Sequence, residues 1–197
     1  SLYVCVSGAV KVGIAGTGAM GNAIGGCLLR KGYEVVAWNR TPEKTKTVVE
    51  LGAVAVNSIS DLFKDVDVVI MMVVGDENMR TATGLLKQVG KGLQGKTVVQ
   101  WTSHDPLSAD DQSKYVESQG GIWLGGAMLA TPDSVCSDHG LYFLSGATQE
   151  DFNQVNNLIG QIGGLQYYGS KPGMGSLYDI AVVNTLMFGR LQLFHFV

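Results

Sequence analysis

The sequence predicts an α/β fold, a doubly wound and mostly parallel sheet followed by a long apolar helix. Two patterns predict it. Short Val/Ile-rich runs without polar alternation, as strands buried on both faces require, alternate with helix-length amphipathic segments that serve as crossovers. A Gly16-x-Gly18-x-x-Gly21 stretch follows the first such run and opens the first helical segment. The composition agrees: Gly is high at 27 and Pro low at 4, which suits many short strand-to-helix turns.

The elements follow in order. The strand candidates are VKVGIAG, YEVVAWN, AVAV, VDVVIMMV and KTVVQW, and the helical segments after them cover 19–31, 42–51, 58–64, 76–90 and 106–119. Thr41-Pro42 sets a capping hydroxyl before a proline suited to the first helical position. Ser58 and Asp61 have the spacing of a cap. GIWLGGAMLA, LYFLSG and LQYYG read as three further strands that extend one side of the sheet, with a helix at about 148–162 before the last. Residues 174–197 form one helix-length segment, apolar on most of its circumference, so it must be buried in protein or in lipid. Asp179, Asn184, Arg190 and Gln192 interrupt it, which argues for packing against protein rather than for a membrane span.

Bulk properties narrow the function classes. The chain has 197 residues, 46% hydrophobic, enough for one sizeable core with an appendage, and a net charge of −3 with the signs mixed, so no basic face points to nucleic acid. Cys5, Cys27 and Cys136 are odd in number and scattered. That favours separate thiols in a reducing, cytoplasmic setting over a disulfide framework. The start, SLYVCVSGAVK, is apolar without a basic lead, so it reads as the approach to the first strand and not as a signal peptide.

The glycine motif has a physical reading. Gly16 permits a tight turn, Gly18 lets a pyrophosphate approach the backbone, and Gly21 allows close helix–strand packing, while the helix N-terminus offers N–H groups and partial positive charge. In this strand–turn–helix context the motif predicts a Rossmann-type dinucleotide site. The second strand ends on Asn39-Arg40-Thr41, with Lys44 one turn on, where an NAD site would carry an acid for the ribose 2′-hydroxyl. An amide, a guanidinium, a hydroxyl and an ammonium instead suit a 2′-phosphate, which predicts NADP(H); solvated charges at a loop edge are the plainer reading.

Other residues are less decisive. Thr102 and Ser103, at the end of the fifth strand, are either hydrogen bonders near nicotinamide or substrate, or part of a plain turn. Ser103-His104-Asp105 is no catalytic triad, because neighbours in sequence diverge. Cys136-x-x-His139 is too sparse for a metal, and no metal is expected. Asp110 and Asp111 read as solvated acids in a first helical turn. Asp179 is a lone acid in an apolar helical stretch, so it is an ion-pair partner, a first-turn acid, or a carboxyl with a raised pKa able to hold a cation or donate a proton.

Together GIAGTGAMG, WNRTPEK, QWTSHDP, GGAMLATPDSV and GSLYDIAVV resemble the imine reductase and reductive aminase family, within the wider β-hydroxyacid dehydrogenase superfamily, from about residue 11 to the end. The resemblance implies NADPH-dependent reduction of C=N bonds. It implies that Gly16, Gly18, Met20 and Gly21, with Thr17 and Ala19 between them, hold the pyrophosphate, and that Asn39, Arg40, Thr41 and Lys44 hold the 2′-phosphate. Val73 and Val74 would flank the cofactor, and Thr102 and Ser103 would lie beside the nicotinamide ribose and the substrate. Met128, Ala130, Thr131 and Pro132 would edge the substrate pocket, and Asp179 would serve the imine nitrogen. Hydroxyacid dehydrogenases of the superfamily carry a catalytic Lys four residues after the second Gly of a GxG; here Asp179 stands at that offset from Gly175. Their carboxylate-binding SGG is replaced by Ala130-Thr131-Pro132, Gly125 stands where the resembled family often has Asp, and SHDP replaces an SGTP-like turn. The resemblance further implies an NADP-binding domain over 1–172 and, over 173–197, the truncated start of an interdomain helix, with the all-helical C-terminal domain absent. Through that helix and domain a homodimer would form around a small imine, amine or carbonyl substrate, with no nucleic acid or membrane partner. A hydroxy-acid or carbonyl oxidoreductase and a catalytically idle NADP-binding module are the alternatives.

Overall fold

The computed structural model describes residues 11–73, 78–102 and 105–195. Among these, eight strands form one sheet: β1 (Lys11–Ala15), β2 (Glu34–Trp38), β3 (Val54–Ala55), β4 (Val68–Met71), β5 (Thr97–Gln100), β6 (Ile122–Leu129), β7 (Leu141–Ser145) and β8 (Gly164–Tyr167). Their order is β3-β2-β1-β4-β5-β6-β7-β8, and every neighbouring pair is parallel except β6 with β7. The three later strands do extend one side. The helices are α1 (Ala19–Arg30), α2 (Lys46–Glu50), α3 (Ile59–Leu62), α4 (Asn78–Val89), α5 (Pro106–Ser118), α6 (Gln149–Ile159) and α7 (Met174–His195).

Successive strand residues point to opposite faces, so each unalternated apolar run feeds two cores. Val12, Ile14, Val68 and Ile70 pack with Ile24 and Leu28 of α1, Val48 of α2 and Val155 of α6. Ala15, Val69 and Met71 pack on the opposite side with Leu62 of α3, Leu86 of α4 and Val116 of α5. This is the doubly wound Rossmann-type arrangement that the sequence predicts.

Local chemistry explains the starts of α3, α5 and α6. Ser58 Oγ accepts the Asp61 N–H at 3.0 Å, and Thr148 Oγ1 accepts the Asp151 N–H at 3.2 Å while Asp151 Oδ2 accepts the Thr148 N–H at 3.1 Å. Two expectations are corrected. The Thr41 hydroxyl caps nothing, and the segment it opens begins as a 3₁₀ turn, Pro42–Thr45, before α2. The first turn of α5 is capped by Asp105, whose Oδ1 accepts the Leu107 and Ser108 N–H groups at 2.9 Å each; Asp110 and Asp111 lie one turn further on.

The long helix is seated by glycines. A Cβ on Gly173 (φ +81°) would lie 2.5 Å from the Pro106 carbonyl oxygen, and one on Gly175 would lie 3.1 Å from Gly126 Cα. Buried Ser145 completes the seat: its Oγ accepts the Gly175 N–H at 3.0 Å and donates to the Gly125 carbonyl at 3.4 Å. Further along α7, Leu177, Ile180, Val183, Leu186, Met187 and Phe188 are exposed. Among the described residues no helix is long and apolar enough to cross a membrane.

The cysteine reading is also corrected. Cys27 of α1 and Cys136 are disulfide-bonded across 109 residues, with Cα atoms 5.8 Å apart, so the argument from cysteine usage to a reducing, cytoplasmic setting falls. Sequence spacing cannot show that two distant residues face each other in the fold. A cross-link closing so long a loop chiefly restricts the unfolded chain and contributes about 2–4 kcal/mol. Reduction, or Cys27→Ser with Cys136→Ser, should therefore lower Tm by roughly 5–15 °C in calorimetry. An unchanged Tm would mean that the bond does not constrain the unfolded chain.

Candidate functional site

The carboxyl ends of β1, β2 and β4 enclose a cavity of about 320 Å³. It lies where the strand order reverses between β1 and β4, the crevice where ligands collect on a doubly wound sheet. The turn out of β1 forms its floor. Gly16 has φ +104°, its N–H donates to the Trp38 carbonyl at 2.8 Å, and a Cβ there would lie 2.3 Å from the Met72 carbonyl oxygen. A Cβ on Gly21 would lie 1.9 Å from the Gly16 carbonyl oxygen, so that glycine is required for α1 to start so close to the strand. Around Gly18 the space is different: a Cβ would meet nothing within 4 Å, so the backbone is open to an approaching group.

The start of α1 is built for an anion. Its N-cap is Gly18, which offers no side-chain acceptor, and its first turn carries no acid. The first N–H groups of a helix have no intrahelical partner, and the helix dipole places positive potential there. Thr17 is 2% exposed, yet its Oγ1 has no hydrogen-bond partner, and the buried Asn22 Oδ1 beside it has none either. A diphosphate over Gly18 fits this cradle.

Arg40, Thr41 and Lys44 line the far side of the same cavity and are exposed. Among the described residues neither cation makes an ion pair, and the lining includes no carboxylate. Asn39 also lines it, but its amide is engaged with backbone: Oδ1 accepts the Thr17 N–H at 3.1 Å and Nδ2 donates to the Thr41 carbonyl at 2.9 Å. It braces the glycine turn against the loop that carries the cations. Ala19 is exposed beside Gly18, and Met20 packs on the core.

Val73, expected to flank the cofactor, also lines the cavity; Trp38, Met72, Thr81, Leu85 and Gln88, which the sequence did not single out, complete the lining. Thr81, Leu85 and Gln88 are spaced by four and three residues and share one face of α4; that periodicity was available in the sequence but indistinguishable from ordinary amphipathicity.

At the neighbouring strand ends, the Val73 N–H donates to Thr102 Oγ1 at 3.1 Å, joining the exits of β4 and β5. Val74 and Ser103 lie outside the described residues. Met128 ends β6 together with Leu129, and Ala130 follows; both Met128 and Ala130 pack on the core. Thr131 and Pro132 are exposed at the start of a 3₁₀ turn, where the Thr131 N–H donates to Ser134 Oγ at 2.8 Å. These four belong to the same sheet edge but not to the cavity lining. Asp179 lies on α7, beyond the glycine seat. It is half-buried, its Oδ1 is shielded and has no partner, and burial raises its pKa above the ordinary carboxylate value. Among the described residues no three His, Cys, Asp or Glu side chains gather to hold a metal ion.

Comparison with known proteins agrees with this geometry. The NAD binding domain of 6-phosphogluconate dehydrogenase matches residues 11–170. An NADPH-dependent reductive aminase of Aspergillus oryzae (strain ATCC 42149 / RIB 40) is 31% identical over 173 residues, covering 88% of this chain and 58% of its own length. Human mitochondrial 3-hydroxyisobutyrate dehydrogenase is 26% identical over 179 residues, covering 89% and 52% respectively. An imine reductase from Myxococcus stipitatus, solved in complex with NADP+, superposes with a TM-score of 0.84 at 30% identity over 92% of this chain and 64% of that one. The chain thus spans between half and two thirds of the length of these relatives. With the family match running from the start of β1 to just past β8, the chain belongs to the family of the NAD binding domain of 6-phosphogluconate dehydrogenase.

Proposed function

We propose that this chain is the cofactor-binding part of an NADPH-dependent oxidoreductase that reduces C=N bonds, as an imine reductase or reductive aminase does. The division expected from the sequence is part of this proposal: residues 1–172 bind NADP(H) and 173–197 begin an interdomain helix. The cofactor assignment rests on a lining that pairs Arg40 and Lys44 with no carboxylate, next to an open anion cradle at Gly18. An acid at the end of β2 would repel a 2′-phosphate; a planar guanidinium holds one well. NADPH, when bound, supplies the hydride.

The observation that carries the C=N reading is Asp179, with its shielded, partnerless Oδ1 and raised pKa. Hydride addition to an imine carbon leaves a nitrogen that must hold a proton. A carboxyl whose pKa lies above the ordinary value holds that proton more readily, and once ionised it favours an iminium cation. A carbonyl oxygen gathers negative charge instead and calls for a cation such as Lys. Thr102 and Ser103 stand beside the reacting centre in this reading, and Met128, Ala130, Thr131 and Pro132 form the pocket edge. The exposed apolar residues of α7 are proposed to be covered in a homodimer. Similarity to 3-hydroxyisobutyrate dehydrogenases favours a second reading, oxidation of a hydroxy acid, against which the acid at 179 counts.

The experiment is NADPH oxidation with a small cyclic imine, alongside NADP⁺ reduction with β-hydroxy acids, on this chain and on any longer form of it. Hydroxy-acid turnover without imine turnover would replace the first reading by the second. Arg40→Ala should weaken NADPH binding by roughly 10- to 100-fold, the worth of a charge-assisted contact of about 1.5–3 kcal/mol, and leave NADH binding within about threefold. Equal effects on the two cofactors would remove the 2′-phosphate assignment. Asp179→Asn should lower imine turnover by about 100-fold or more without lowering Tm. The sign follows from the raised pKa: the cost of ionising Asp179 in the fold is absent below the unfolded carboxylate pKa and fully present above the folded one, so the variant's Tm advantage should grow with pH. Undiminished turnover would release Asp179 from the chemistry.

A further inference from the structure

Beneath the exits of β4 and β5 lies a buried polar network whose Gln100, Gln112 and Trp123 are not among the cofactor contacts described above. Gln100 and Gln112 are 0% exposed, and Thr102 is 2% exposed. Apolar side chains would fill such positions without desolvation cost, whereas a buried amide is costly unless its hydrogen bonds are made.

One donor fixes every orientation in the network. An indole N–H can only donate, so the Gln112 atom at 2.8 Å from Trp123 Nε1 is its oxygen. That oxygen also accepts from Gln100 Nε2 at 2.8 Å. Gln100 must then present its own oxygen to the Thr102 N–H, which donates at 2.9 Å. The Gln112 amide nitrogen donates to Thr83 Oγ1 at 3.0 Å. Thr102 Oγ1 in turn accepts the Val73 N–H. A single chain therefore links β6, α5, β5, the exit of β4, and α4, whose Thr81, Leu85 and Gln88 line the cavity.

Two glycines make room for the anchoring indole. A Cβ on Gly125 would lie 2.1 Å from Trp123 Cη2, and one on Gly146 would lie 2.7 Å from its Cε3. The acid that the resemblance expects at 125 is thus incompatible with the indole as it sits here. In this chain the position serves the network instead.

We propose that Gln100, Gln112 and Trp123 are positioning residues that fix the exits of β4 and β5, and so set how tightly the nicotinamide half of NADP(H) is held. This rests on the NADP(H) reading above. The 2′-phosphate end lies by β2, and a dinucleotide extended along the carboxyl edge from there directs its other half toward β4 and β5.

The test compares NADPH with 2′-phospho-ADP-ribose, which lacks the nicotinamide, by calorimetric titration, together with amide hydrogen exchange without ligand. Gln112→Met should weaken NADPH roughly five- to tenfold, leave the fragment within about twofold, and speed exchange of the Thr102 and Val73 amides but not those of β1. Equal weakening of both ligands, or an unchanged NADPH affinity in a folded variant, would overturn the proposal. Should Gln112→Met fail to fold, Trp123→Phe, which removes the indole donor along with ring volume at a fully buried position, should shift the same quantities in the same direction; no shift in the folded variant would overturn it. Failure of the unmodified chain to bind the fragment would overturn the NADP(H) reading instead, and the exchange result would still judge the network.

Discussion

The site depends on one close approach, that of the end of β1 to the end of β4. At Gly16 a methyl group would collide with the Met72 carbonyl, and the backbone adopts φ +104°, a conformation that L side chains rarely hold. Because the chain turns there without a side chain, α1 can begin next to the strand, with Gly21 against the Gly16 carbonyl. The free N–H groups of α1 then face the crevice instead of solvent beside it. Asn39 fixes the second side of that crevice by bonding the Thr17 amide, so the cation-bearing loop and the glycine turn move as one.

A second glycine seat fixes α7 on the sheet. Gly175 lets α7 cross β6 at backbone contact distance, Gly173 lets its start pass against Pro106 of α5, and Ser145 receives the helix through the Gly175 amide. Asp179 comes one helical turn after this crossing.

The fold was largely legible because its signals are local and periodic. Unalternated Val/Ile runs, a capped helix at Ser58, and glycines at a strand exit each act within a few residues. What was not legible depends on which distant segments meet. The Cys27–Cys136 bond closes a loop of 109 residues and follows from the 3₁₀ turn after β6 lying on α1, which no spacing rule encodes. The Asn39 amide has the same composition whether it grips a phosphate or a backbone, and only the Thr17 and Thr41 contacts decide. The wall formed by Thr81, Leu85 and Gln88 looks like any amphipathic helix face until the cavity beside it is seen.

Gly125 shows how a departure from a resembled pattern can itself be structural. Taken alone, loss of an acid before Gly126 reads as loss of a function. In the fold, the vacated volume holds the Trp123 indole, whose N–H orients two buried glutamines toward the exit of β5. The exchange removes one charge near the sheet edge and leaves Asp179 as the acid on the helix that crosses β6. The raised pKa of Asp179 has burial as its cause. A cation placed beside it would pull that pKa down by direct attraction, opposing the effect of burial.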